Sequence, residues 1–162
     1  MIKKFGKLIL TMFNIGKLGN FPGTIASAIT SFLYVLFFYF KVHYLTLFLI
    51  FLLLLLVSIY LINHLKDEFE EVDSKEIVID EVLGQAMPLI LIVYLSSKNL
   101  INIPVEIYYL LSFILFRFFD IVKPFPVSYF DKQHKNFFGI IMDDIMAGLY
   151  TMLIIYLISL KF

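Results

Sequence analysis

The sequence predicts an all-α fold: a polytopic membrane helical bundle of about five apolar segments, with a polar site on its cytoplasmic side. Three observations carry that prediction. The chain is 61% hydrophobic and only 16% charged. Apolar runs recur along it, separated by stretches rich in Gly, Pro and charge. Basic residues gather in alternate intervening stretches.

The first observation sets the class. Ordinary soluble domains are roughly 45–50% apolar, and the mean hydropathy here is +0.93. The 162 residues allow one membrane-embedded domain, 1–162, and no second large one. A formal net charge of zero gives no reason to expect a nucleic-acid partner. The absence of cysteine excludes disulfides, thiolate nucleophiles and thiolate-bound metals. No cleavable leader is expected, because the basic start MIKKFGKLIL lacks a sufficient apolar core and a small-residue cleavage site. Residues 1–20 instead begin MIKKFGKLILTMF, with the character of an interfacial helix.

The apolar segments fall near 25–40, 44–62, 82–96, 105–119 and 145–160. Only the second approaches the ~20 residues of an ordinary span. The third and fifth, at about 16 residues, reach roughly 24 Å against a hydrocarbon core of ~30 Å. Local bilayer thinning accommodates such short helices, leaving their acidic ends at headgroup depth.

Orientation follows from the basic residues. With five spans and a cytoplasmic N-terminus, the inner stretches hold Lys3, Lys4, Lys7, Lys17, Lys66, Lys75, Arg117, Lys123, Lys132 and Lys135, and the outer ones Lys41, Lys98 and Lys161. Ten against three satisfies the positive-inside rule and puts the C-terminus outside. Every acid except Glu106 also falls on the inner side.

Each inner stretch carries a polar constellation. In GKLGNFPGTIASA, Gly and Pro mark a turn, and the helix that follows offers backbone N–H groups to a phosphate or simply a capped start. In HLKDEFEEVDSKEIVIDEVLGQAMP, the first part reads as a solvated acidic helix. Asp80 and Glu81 differ, since they abut an apolar run in which Gly84 lies one turn beyond Asp80. In FRFFDIVKPFPVSYFDKQHKNFFGIIMDDIMAG, Arg117, Asp120 and Lys123 are spaced to share a helix face before Pro124 and Pro126 end it. Asp143 and Asp144 then precede Ala147 and Gly148, so two helix starts are expected to offer carboxylates beside small residues. Charges of both signs at such depth point to function, and an Arg117–Asp120 pair serving structure alone is the alternative.

Carboxylates from separate helix ends, with Arg and Lys beside them, suit Mg²⁺ and a phosphate. Mg²⁺ takes oxygen ligands, commonly one or two carboxylates with water and phosphate oxygens. Adjacent helical residues project about 100° apart, so Asp143 and Asp144 need a further ligand such as Asp80 or Glu81. Arg117 and Lys123 neutralise the phosphate. Asp120 either orients Arg117 or acts as ligand or nucleophile. His43 and His64 read as ordinary polar residues, while His134 lies where a general acid could sit.

The ordered set FPGT, DEVLGQ, FRFFDIVKPFPVSYFD and GIIMDDIMAG closely resembles the phosphatidylglycerophosphatase A family, over about residues 20–148. The resemblance implies a Mg²⁺-dependent bacterial membrane enzyme that removes the terminal phosphate of phosphatidylglycerophosphate in phospholipid biosynthesis. It points to Pro22, Gly23 and Thr24, to Asp80, Glu81 and Gly84, to Arg117, Asp120, Lys123, Pro124 and Pro126, and to Asp131, Gly139, Asp143, Asp144 and Gly148. The expected metal ligands are Asp80, Glu81, Asp143 and Asp144. Gly23, Thr24, Arg117 and Lys123 would hold substrate, and catalysis would fall to Arg117, Asp120, Lys123, Asp143 and Asp144. The expected setting is the cytoplasmic (inner) membrane, with lipids as neighbours and the site facing the cytoplasm. Two other readings stand beside it. A small ion or proton carrier could use the same carboxylates, although they gather on one side. A headgroup transferase would also use acids and Mg²⁺, but the chain lacks the Asp-Gly-x-x-Ala-Arg pattern of CDP-alcohol transferases.

Overall fold

The computed structural model describes residues 2–65, 76–133 and 137–161. Its elements are α1 (Ile2–Leu10), a 3-10 turn (Ile15–Lys17), α2 (Pro22–Tyr39), α3 (Tyr44–Leu65), α4 (Ile79–Ser97), α5 (Val105–Val122), α6 (Val127–Gln133) and α7 (Phe137–Lys161). Among the described residues there is no strand. The expected solvated helix after His64 falls mainly on 66–75, and that stretch and His134 lie outside the described residues.

Four helices, α2, α3, α4 and most of α7, are long and apolar enough to cross a membrane. The fifth long helix, α5, matches α2 in length at 18 residues but carries Glu106, Arg117 and Asp120. These five correspond to the five apolar runs, with one correction. The run read as 145–160 belongs to a helix of 25 residues, roughly 37 Å at 1.5 Å per residue. Asp143 and Asp144 therefore sit inside α7, not at a helix start. Hydropathy drops at the paired charges, but nothing in FFGIIMDDIMAG interrupts the i to i+4 hydrogen bonds. No bilayer thinning is needed for this helix, and α4, at 19 residues, is near ordinary span length.

The central element is α4, which packs against α2, α3, α5 and α7. It buries 61% of its span, against 28% for α2 and α3 and 39% for α7. The outer faces of the others carry exposed apolar side chains such as Leu49, Leu53 and Leu56 of α3 and Leu153 and Leu157 of α7. In water that pattern would be a liability; against lipid it is the expected solvent-facing surface.

The five long helices alternate in direction. At one end Tyr39 donates to Glu106 at 2.8 Å, and Asn102 donates to the Ser159 carbonyl at 3.0 Å. That end holds the last turns of α2 and α7 and the first of α5. At the other end, Gly6 of α1 lies against Leu61 and Leu65 near the end of α3, and the Val78 amide donates to the Leu10 carbonyl at 3.1 Å. The first turns of α2 and α4 and the last of α5 meet there.

Candidate active site

Helix packing, not loop geometry, assembles the polar site. The α4–α7 crossing is close because both helices present glycine: a Cβ on Gly84 would lie 2.5 Å from the Asp144 carbonyl oxygen, and one on Gly148 would lie 2.5 Å from that of Gly84. Small residues permit such backbone approach in membrane bundles. It brings Asp144 against the first turn of α4, where Asp80 and Glu81 lie. Oxygens of Asp80, Glu81 and Asp144 lie within 4.8 Å of one another.

The three acids are held differently. Asp80 is 8% exposed and Asp144 4%. Asp80 Oδ1 accepts from the Glu81 amide at 3.1 Å. Glu81 reaches across to α2, where its carboxylate occupies the space a side chain on Gly23 would fill. Glycine at 23 thus admits a carboxylate from α4. The Glu81 Oε2 and Asp144 Oδ1 atoms are buried and have no hydrogen-bond partner. Buried acceptors of this kind are costly unless a proton, water or cation joins them. An all-oxygen donor set with free lone pairs suits a hard divalent cation, so the residues present fit Mg²⁺.

Asp143 does not join this trio. Its Oδ2 receives a hydrogen bond from Lys123 at 2.9 Å, and Lys123 also donates to Asp131 at 2.5 Å. The roughly 100° between successive helical residues separates the two aspartates. Lys123 likewise leaves the face predicted for it. It terminates α5 with φ 47, and the left-handed conformation turns it toward α6 and α7. Burial opposes its positive charge, but Asp131 and Asp143 outweigh that and raise its pKa above the ordinary lysine value.

Arg117 and Asp120 keep the predicted i, i+3 relation, with Nη1 2.6 Å from Oδ2. Arg117 Nε is buried without a partner, and Arg117 and Asp120 lie within Coulombic reach of Glu81. Thr24 is half-buried in the first turn of α2, beside Gly23. His64 is exposed, with Nδ1 2.8 Å from the Tyr60 carbonyl oxygen. His43 stacks on Tyr44 at the opposite end of the bundle.

One buried polar residue was not singled out from sequence. Gln85 has no exposed surface and donates to Ser112 of α5 at 3.1 Å. It stands one turn from Glu81, within DEVLGQ, and ties α4 to α5 near the cluster. Its signal was present: an amide followed at once by an apolar helix needs a buried partner.

The family described as Phosphatidylglycerophosphatase A matches residues 8–159. The Phosphatidylglycerophosphatase A of Haemophilus influenzae is 40% identical over 87 residues, 54% of this chain and 48% of that protein. A Bacteroides thetaiotaomicron protein provisionally named a phosphatidylinositol-3-phosphatase is 36% identical over 83 residues, 51% of this chain and 47% of that protein. The Phosphatidylglycerophosphatase A of Escherichia coli K12 is 40% identical over 48 residues, 30% of this chain and 28% of that protein. The matched stretches thus span about half the length of these relatives or less. No solved structure matches.

Proposed function

The chain belongs to the phosphatidylglycerophosphatase A family, and from that premise we propose that it is a phosphatase that hydrolyses phosphatidylglycerophosphate to phosphatidylglycerol and phosphate. The observation that carries this reading is the convergence of Asp80, Glu81 and Asp144 at the end of the bundle where Arg117 and Lys123 stand. Paired names among relatives support a lipid phosphomonoester as substrate, and the apolar outer face supports its arrival by lateral diffusion.

Asp80, Glu81 and Asp144 would hold Mg²⁺. When bound, the ion polarises a phosphoryl oxygen and offsets charge on the transferring group. Arg117, fixed on one side by Asp120, keeps its remaining N–H groups for the phosphate oxygens, and a guanidinium matches them bidentately. Lys123 adds a positive charge, and Asp131 and Asp143 position it. Water then displaces the lipid alcohol at phosphorus, and the site restrains the phosphate while the glycerol oxygen leaves. Asp143 serves in this scheme as a positioning residue for Lys123.

The site would face the cytoplasm from the inner membrane of a bacterium. Lys3, Lys4, Lys7, Lys17, Arg117 and Lys123 stand at its end of the bundle, against Lys41, Lys98 and Lys161 at the other, in the sense of the positive-inside rule.

The test is phosphate release from phosphatidylglycerophosphate by the purified protein in detergent, across a Mg²⁺ titration, with Asp144→Asn in parallel. Metal-dependent release that disappears in the variant is expected. Folded wild type that releases no phosphate at any Mg²⁺ concentration would overturn the reading.

A further inference from the structure

The central helix α4 is covered by its neighbours on every side but one. From Val82 to Leu95 the residues left unburied are Met87, Ile90, Leu91 and Tyr94. All four lie along one groove, walled by Phe48 of α3 and Met152 of α7. Its exposed surface carries no polar atom, and its volume is about 290 Å³. That is the low end of the roughly 300–1,000 Å³ usual for small-molecule sites.

Three relations tie the groove to the carboxylates. At 100° per residue, Met87, Leu91 and Tyr94 all fall within about 40° of the direction of Asp80, so groove and site share one face of α4. Met87 stands three residues beyond Gly84, and Met152 four beyond Gly148. The helices meet through backbone at those glycines, and the methionines one turn further mark where the α4–α7 seam opens. Along the axis, the groove floor runs from about 10 Å to about 21 Å past Asp80. Phosphatidylglycerophosphate requires a set-back of this kind, because a glycerol, a phosphodiester and a second glycerol separate its terminal phosphate from its acyl chains. The polar spacer thus ends where the apolar floor begins.

The shape of the groove also selects its occupant. A helix of a second copy, about 10–12 Å across, is too wide for so small a recess, whereas a single alkyl chain is narrow. Met87 and Met152 are flexible and polarisable, and so adapt to chains of differing form. At the far end Tyr94 packs edge-on against Tyr44, with ring centroids 5.2 Å apart. On the premise that a lipid phosphate binds at Asp80, Glu81 and Asp144, we propose that this groove seats one acyl chain of that same lipid. The protein then recognises its substrate by tail as well as by head.

The chain has no tryptophan, so Tyr94→Trp places a single fluorescent reporter in the groove, and Phe48→Trp places one on its opposite wall should the first variant not fold. Leu157→Trp, at a position 53% exposed on α7, reports on the general lipid surface. Each full-length variant is reconstituted with Mg²⁺ in phosphatidylcholine vesicles doped with a lipid whose acyl chains carry quenching bromine atoms. One dopant is brominated phosphatidylcholine. The other is a brominated phosphonate analogue of phosphatidylglycerophosphate, in which a methylene replaces the ester oxygen so that it is not hydrolysed. In the groove, half-maximal quenching by the phosphonate is expected at about ten-fold lower mole fraction than by phosphatidylcholine, equivalent to 1.4 kcal/mol. At Leu157→Trp the two dopants should quench alike. Equal quenching by both dopants in the groove would overturn the proposal, since any lipid would then fill it. Quenching by neither, with Leu157→Trp still quenched, would overturn it too and assign the groove to protein, such as a second copy. Turnover is not needed for any of these readings. Phosphate release without head-dependent quenching would strike the groove alone, and head-dependent quenching without release from the natural lipid would strike the phosphatase reading alone.

Discussion

Gly84 and Gly148 face each other across the α4–α7 crossing, with the Gly84 carbonyl oxygen 2.5 Å from where a Cβ of Gly148 would stand. That carbonyl is also the one Pro88 cannot serve, because proline has no N–H to return to the residue four before it. Its freed oxygen points over the bare Cα of Gly148, where a weak Cα–H contact can meet it. Backbone contact at this one level sets the distance between Asp144 on one helix and Asp80 and Glu81 on the other.

Alanine at either glycine should therefore damage both stability and catalysis. The blocking atoms are backbone at both positions, the Asp144 carbonyl for Gly84 and the Gly84 carbonyl for Gly148, so neither neighbour can rotate away. Overpacking of this kind costs about 1–3 kcal/mol, against a helix-propensity gain of about 1 kcal/mol. Thermal unfolding in detergent should show a net loss for Gly148→Ala and Gly84→Ala, with phosphate release falling more than the unfolded fraction explains. Wild-type stability in both variants would mean that the crossing is looser than these distances imply.

Lys123 should be coupled more strongly to Asp143 than to Asp131. The Asp143 side chain is 13% exposed and that of Asp131 34%, and exposed ion pairs are worth about 0.2–1 kcal/mol while shielded, charge-assisted bonds reach about 1.5–3 kcal/mol. Double-mutant cycles of Lys123→Met with Asp143→Asn and with Asp131→Asn measure the two directly. Equal coupling energies would count against burial as the deciding factor. The raised folded pKa of Lys123 also fixes a pH sign. Its contribution is complete below the ordinary value of 10.5 and declines only as pH rises through the folded value. An alkaline limb of activity below about 10.5 should thus persist in Lys123→Arg.

The class of fold was legible because lipid imposes a simple composition on long helices. The acids at 80 and 81 were legible as a helix start because Asp and Glu favour that position. The true start of α7 was hidden, since Asp143 and Asp144 break the hydropathy of FFGIIMDDIMAG without breaking its helix. Asp143's partner was hidden for another reason. Lys123 reaches it only after a left-handed residue turns the chain out of α5, and no spacing rule anticipates that turn. The contact of Glu81 with Gly23, across 58 positions, is one that only packing reveals.

Between Gln85 and Ser112, removal of the serine should be the costlier change. A serine left alone can turn its hydroxyl to the carbonyl four residues back, as Ser27, Ser58 and Thr151 already do in this protein. The Gln85 amide has no such local acceptor. Ser112→Ala should therefore cost about 1–3 kcal/mol by stranding a buried donor, and Gln85→Leu distinctly less. Combining the two should recover part of the Ser112→Ala loss. Thermal unfolding of the three variants decides the order, and a costlier Gln85→Leu would mean that the Ser112 hydroxyl loses more than the Gln85 amide when its partner is removed.

Arg117→Lys tests whether Arg117 serves substrate or only Asp120. Lysine retains the positive charge and can still pair with Asp120, but it loses the planar fork and the Nε–H that arginine holds buried and unpartnered. If the fork meets phosphate, kcat/KM for phosphatidylglycerophosphate should fall about ten-fold or more, equivalent to roughly 1.4 kcal/mol of transition-state binding. Thermal stability should change little, because the surviving pair sits on a single helix. Asp120→Asn should give the complementary pattern: the fork is kept but loses its anchor, so turnover falls and added stability cannot restore it. Unchanged kcat/KM in Arg117→Lys would assign the pair to structure alone, and Lys123 would then be the principal cation for the phosphate.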